Sequence, residues 1–156
     1  MIYIYIAGPL FSEADIIQRR KEAAGLREVL DQKGLTYYIC NPIDLPFDNT
    51  QVLSSREIFL ADYGHLDIAN VFFFDLSGND TGTLVELGNV IEKYHHDRNL
   101  RIYPVFSDLR LARNQAAGLE CPVGYNSYVV GCLSANEITC YRSFSEALTQ
   151  FVKDIT

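Results

Sequence analysis

The sequence predicts an α/β domain built on a doubly wound parallel sheet of five strands, and three observations predict it. Short continuous apolar runs, the mark of strands buried on both faces, alternate with longer segments of 3.6-residue apolar period, the mark of crossover helices. Cap and turn residues punctuate the boundaries between them. The 156 residues contain no repeat, linker or low-complexity stretch, so 1–156 reads as a single domain large enough to bury its own core.

IYIYIAG (2–8) is the first strand, closed by Gly8-Pro9. Residues 13–33 form an amphipathic helix with Ile16, Ala23, Leu26, Val29 and Leu30 as its apolar stripe, Ser12 as N-cap and Gly34 as the C-terminal stop. TYYIC (36–40) is the second strand, ended by Asn41-Pro42, and a polar loop runs to about residue 53. Ser54 to Glu57 matches the S-x-x-E capping box and opens a helix to about Ile68. VFFFDL (71–76) is the most apolar strand and is placed centrally. The loop LSGNDTG leads into a helix from about Thr83 to His96, and RIYPVF (101–106) is the fourth strand. Residues 107–135 read as irregular, with a helical turn at 108–117. EITCY (137–141) is a short fifth strand, and Ser143–Ile155 a closing helix capped by Ser143 or Ser145. The pattern does not fix strand order. Right-handed crossovers make a flavodoxin-like or Rossmann-like order 2-1-3-4-5 the natural expectation.

Composition excludes several function classes. Thirteen basic against twenty acidic residues give a net charge of -7, and no basic cluster exceeds Arg19-Arg20-Lys21, which argues against a nucleic-acid polymer as partner. No apolar run approaches the roughly 20 residues that span a bilayer, and MIYIYIAGP lacks the basic residues and length of a signal peptide. A cytoplasmic protein is expected. Cys40, Cys121, Cys132 and Cys140 lack C-x-x-C spacing and paired histidines, so they read as reduced core or loop residues with no zinc site. His95-His96 falls at a helix end, where a cation suits the dipole.

In an open parallel sheet the ligand crevice lies outside the carboxyl ends of the strands. After the first strand, Ala7, Gly8 and Pro9 leave the backbone bare and Phe11 offers a ring to a flat ligand. After the third, LSGNDTGTLVELG carries Asp80, Gly82 and Glu86. That turn holds no lysine or arginine and matches neither a Walker A loop nor G-x-G-x-x-G, so its carboxylates suit sugar hydroxyls or a cationic transition state better than phosphate. Glycosyl transfer has such a transition state, with one carboxylate as nucleophile and a second acid to protonate the leaving group. A structural reading stands beside this one. Thr83-Leu-Val-Glu86 is itself a capping box, Asp80 alone suits a turn or N-cap, Tyr5 suits a core strand, and Asp62 suits a solvated helix face.

Together, IYIAGPLF, Asp62 eight residues before Asn70, and the D-x-G-T-x-x-E-L-G of 80–88 resemble the nucleoside 2-deoxyribosyltransferase family, and the likeness extends to Asn126 in VGYNSYVVG and the terminal EITCYRSFSEAL. The resemblance implies a ping-pong exchange of the base on a 2′-deoxynucleoside, in nucleotide salvage, through a covalent deoxyribosyl-enzyme and without metal or organic cofactor. It implies Glu86 as nucleophile, Tyr5 as the group that orients it, and Asp62 as the acid serving the departing base. It implies Asp80 as the holder of a sugar hydroxyl and Phe11 as an aromatic of the base pocket, and the bare Gly8 and Gly82 of the same loops are further substrate-binding candidates. Asn126 would reach the sugar's 5′ end from a neighbouring subunit of a homo-oligomer, a dimer or hexamer. The chain ends KDIT where some relatives carry a terminal tyrosine, and LSGND differs from many of their loops.

Two rivals remain open on sequence. A 2′-deoxynucleoside 5′-monophosphate N-hydrolase shares fold and acidic pair, and Ser107 with Arg110 and Arg113 keeps a phosphate site in view, although the first loop reads SEAD and is acidic. A non-catalytic nucleotide-sensing module would use the same sheet, because fold does not fix function.

Overall fold

The computed structural model describes residues 1–46, 50, 52–108 and 125–156. Four strands, β1 (Ile2–Ala7), β2 (Tyr37–Cys40), β3 (Val71–Asp75) and β4 (Arg101–Val105), form one parallel sheet in the order β2-β1-β3-β4. Among the described residues five helices accompany them: α1 (Glu13–Gln32), α2 (Ser55–Ile68), α3 (Thr81–His96), α4 (Ser127–Ala135) and α5 (Phe144–Asp154). A 3-10 turn at Pro42–Asp44 follows β2.

Strand alternation divides the core in two. Ile4 and Ile6 of β1 with Val71 and Phe73 of β3 face α1 and α5, where Leu26, Leu30 and Phe151 cover them. Tyr5, Phe72 and Phe74 face the other way, under Leu66 of α2, Leu87 and Val90 of α3 and Leu133 of α4. β1 and β3 therefore lie at the centre with both faces covered, as their unbroken apolar runs require. Among the described residues no helix is long and apolar enough to cross a membrane.

The caps explain most boundaries. Ser12 and Ser54 each close a reciprocal capping box, with Asp15 and Glu57. Gly34, at φ 64°, turns the chain out of α1 in a conformation that glycine adopts freely. Ser143, rather than Ser145, caps α5.

Three expectations are corrected. α3 begins at Thr81, with Asp80 as N-cap, so the capping box drawn from Thr83 to Glu86 does not form. Residues 127–135, expected to be irregular, form α4: Tyr, two Val and a Gly are weak helix formers, but the Asn126 cap and the burial of Val130 and Leu133 hold the turns. The fifth strand shrinks to one bridge, between Val105 and Tyr141. Arg101 N and Val105 O pair toward β3, whereas Pro104 O and Phe106 N face outward and bond Tyr141. The next rung would need an N–H from Pro104, which proline lacks. At the other end Glu137, at φ 58°, is still closing α4, its N–H bonded to Ser134 O. The expected turn at 108–117 lies, beyond Asp108, outside the described residues, as do Arg110, Arg113 and Cys121.

Candidate active site

The alternation that sends Ile4 and Ile6 toward α1 sends Tyr5 to the opposite face, fully buried, with Cys40 and Phe72 as its register partners. Its hydroxyl donates to Glu86 Oε1 at 2.6 Å. Glu86 stands in the second turn of α3, on the face that also buries Thr83, Leu87 and Val90. Six residues in from the cap, its carboxylate meets no orphan N–H of the helix start, because Asp80 has taken that duty: Asp80 Oδ2 accepts from Thr83 N and from Thr83 Oγ1, both at 2.8 Å.

Burial pushes Glu86 up to about 7; the Tyr5 bond pulls it back, and the charges of Asp62 and Asp80 push it further up. Burial, then the neighbouring Glu86 charge, raise the Tyr5 hydroxyl far above its ordinary range, so it remains a proton donor in its bond. Asp62, on α2, is also raised by burial, with His65 opposing. Its Oδ1 is buried without a hydrogen-bond partner among the described residues. Cys40 is pushed up to about 12 by burial and by the Asp62 and Glu86 charges, which keeps it an unreactive thiol.

Asp62 and Glu86 line one cleft of about 270 Å³ between α2 and α3. Its other walls are mostly apolar, from Phe59, Tyr63, Leu66 and Val85, with Gly82 at the start of α3 and Asn89 one turn beyond Glu86. Phe59 and Tyr63 stack at 5.3 Å and leave half or nearly half of their surface open. The spacing of Phe59, Asp62, Tyr63 and Leu66 puts all four on one helix face, a 3.6-residue signal present in the sequence. A carboxylate pair in such a cleft can divide the roles of nucleophile and acid, because burial of each outweighs what favours its ionised form, Tyr5 for Glu86 and His65 for Asp62.

Of the remaining sequence-predicted residues that are described, only Gly82 lines this cleft. Phe11 stands 88% exposed on the loop between β1 and α1. Asn126 caps α4, its Oδ1 accepting from Tyr128 N at 3.0 Å and Val129 N at 3.4 Å. Gly8 is needed for packing: a Cβ there would lie 1.4 Å from Arg19 Nη1. Gly82 would carry its Cβ 3.2 Å from Asp80 Oδ2, so its bareness leaves room for the cap. Ser107 bonds Ser77, through Oγ to Oγ and N to Oγ, both at 2.9 Å. Among the described residues no group of three or more His, Cys, Asp or Glu side chains is arranged to hold a metal ion.

The sequence reading missed a second charged cluster. Arg19 is completely buried and Glu22 nearly so, and Arg19 pairs both with Glu22 and with Asp75 at the end of β3. The signal was present: Arg19 lies three residues after Ile16 and four before Ala23, on the apolar stripe of α1, where a solvated arginine has no place.

Comparison with known proteins gives a family and a fold. The family model described as nucleoside 2-deoxyribosyltransferase matches residues 4–110, a span containing Tyr5, Asp62, Asp80 and Glu86. An uncharacterized protein of Ureaplasma parvum is 28% identical over 119 residues, 73% of this chain and 75% of its own. Among solved structures, a conserved protein from Enterococcus faecalis superposes with a TM-score of 0.74 at 25% identity, covering 100% of this chain and 99% of that one. The 2-deoxyribosyltransferase of Leishmania mexicana gives 0.59 at 21% identity, covering 98% of each chain. That of Bacillus psychrosaccharolyticus gives 0.57 at 17%, covering 93% and 89%. At those last two identities the likeness establishes the shared fold.

Proposed function

Because the chain belongs to the nucleoside 2-deoxyribosyltransferase family, we propose that it exchanges the base of a 2′-deoxynucleoside, with Glu86 carrying the deoxyribosyl group between two half-reactions. The observation that carries this reading is the 2.6 Å bond from Tyr5 to Glu86, in a cleft that Asp62 shares. Tyr5 occupies Oε1, which leaves Oε2 to attack C1′. As the C1′–N bond breaks, its electron pair passes to the base nitrogen, which takes the proton of Asp62. In the second half a nitrogen of the incoming base attacks C1′, its N–H proton passes to Asp62, and the ester to Glu86 breaks to restore the carboxylate. One proton shared by the two carboxyls is the competent state, and burial of both favours it over the doubly ionised one. The steps need no metal or organic cofactor.

Phe59 and Tyr63 supply a flat apolar wall for the base beside Asp62. Asp80, whose Oδ2 caps α3, would offer its other carboxylate oxygen to a sugar hydroxyl. Ile58, Phe59, Leu60 and Tyr63 all leave apolar surface exposed on α2, which supports a homo-oligomer, and in it Asn126 of a neighbouring copy would meet the sugar's 5′ end. The test is to incubate the protein with deoxyinosine and adenine and follow deoxyadenosine by chromatography. Exchange is expected. Hypoxanthine released without deoxyadenosine would overturn the transferase reading in favour of a hydrolase.

A further inference from the structure

Arg19 lines no part of the cleft, yet it joins the strands that carry it. Its guanidinium donates to Ala7 O at 3.4 Å, to Asp75 Oδ2 at 2.5 Å and to Glu22 Oε1 at 2.9 Å. Ala7 ends β1 and Asp75 ends β3. The other Asp75 oxygen accepts from Ser77 N, and Ser77 Oγ accepts from Ser107 N just beyond β4. One planar fork thus ties the carboxyl ends of the central strands to one another and to α1. The two loops that leave those ends touch as well: a Cβ on Gly78 would stand 2.4 Å from Pro9 Cγ.

Stability alone does not account for this arrangement. A buried ion pair loses its hydration, and apolar residues of the same volume commonly serve a core as well or better. What the fork adds is a fixed separation between β1 and β3. Tyr5 lies two residues before Ala7, and the chain from Asp75 leads directly to Asp80 and Glu86.

We propose that Arg19 is a positioning residue: by joining the end of β1 to the end of β3 it fixes Tyr5 against Glu86 in the cleft on the opposite face of the sheet. The proposal rests on the transferase reading of that cleft. The groups that face Glu86 are Tyr5 from β1, Asp62 from α2 and Asp80 from the start of α3, with Cys40 of β2 beside them. Of these only Tyr5 favours the ionised carboxylate, so loosening its bond lets Glu86 hold its proton to higher pH.

The experiment compares wild type, Arg19→Met and Arg19→Lys in the deoxyinosine–adenine assay, per folded molecule as measured by circular dichroism. In both variants kcat is expected to fall about tenfold or more while KM changes little, and the acid limb of the pH profile to move up by about half a unit. Lysine keeps the charge but loses the fork, so a limb that moves in Arg19→Met alone overturns the proposal in favour of a simple charge effect. Wild-type kcat and limb in folded Arg19→Lys overturn it too, leaving Arg19 as packing, and that variant decides the matter if Arg19→Met does not fold. Wild type without exchange would remove the underlying reading; wild-type exchange with unaltered Arg19 variants removes the positioning role alone.

Discussion

The two faces of the sheet each bury carboxyl groups near the carboxyl ends of β1 and β3, and they treat them in opposite ways. On the α1 face, Glu22 and Asp75 close around Arg19, and the contacts link α1, β1 and β3. On the α2–α3 face, Asp62 and Glu86 share a cleft with apolar walls, and the partners are a phenol for one and, for an oxygen of the other, no hydrogen bond among the described residues. Carboxylates balanced by a guanidinium are ordinary structure. Carboxylates buried without a guanidinium to balance them are retained at a cost, and such groups cluster where chemistry is done.

If that contrast holds, substitution in the cleft should cost turnover directly, and substitution on the α1 face should cost stability, with activity lost there only through the position of Tyr5. The largest effect is expected of Glu86→Gln, which keeps shape and the acceptor for Tyr5 but removes the nucleophile: base exchange should fall by about 10³-fold or more while the fold persists. Exchange assays with circular dichroism check it, and a folded variant that still turns over would dissolve the contrast. Next comes Asp75→Asn, on the other face. It leaves a fully buried guanidinium short of a partner and should cost about 3 kcal/mol in urea unfolding. An unchanged unfolding midpoint would mean that Glu22 alone satisfies Arg19.

These differences were unevenly legible in the sequence. The central strands, the Ser12 and Ser54 caps and the Gly34 stop follow from local chemistry, and they stand within a residue or so of where the pattern puts them. The fifth strand failed because Pro104 was read for its apolar neighbours in RIYPVF and not for the N–H it lacks. Glu86 was ambiguous on sequence because D-T-G-T-x-x-E offers two caps, Asp80 and Thr83, and only the choice of Asp80 frees the glutamate to reach Tyr5. Arg19 and Asp75 are 56 residues apart, and a pair that distant leaves no local signature beyond one arginine on an apolar stripe. Phe11 and Asn126, drawn toward the substrate by resemblance, lie away from the cleft of the single chain.

A smaller loss is expected of Asp62→Asn. Without its proton the departing base leaves as an anion, which should slow exchange by about 10²-fold. The deficit should shrink for a deoxynucleoside whose base leaves readily, and the alkaline limb of the pH profile should disappear, because deprotonation of the raised Asp62 carboxyl is what ends activity there. Profiles of kcat/KM with two leaving bases test this; an equal deficit for both would take the acid's role from Asp62.

The smallest effect has the opposite sign, and it separates the faces most cleanly. Glu86 is raised from 4.5 to about 7 on folding, so the folded state holds the proton more tightly than the unfolded chain. Below the unfolded value both states are protonated, and wild type and Glu86→Gln should unfold alike. As pH climbs toward the folded value the unfolded chain ionises first, and wild type loses stability that glutamine, which has no proton to lose, retains. Above about 7 the gap is complete, and with a discount for the partial exposure of the side chain it should reach about 2 kcal/mol in favour of the inactive variant. Urea unfolding at pH 4.5 and pH 8 measures it. Glu86→Gln would then stabilise one face of the sheet while Asp75→Asn destabilises the other, and equal midpoints at pH 8 would mean that Tyr5 already offsets the burial of the carboxylate.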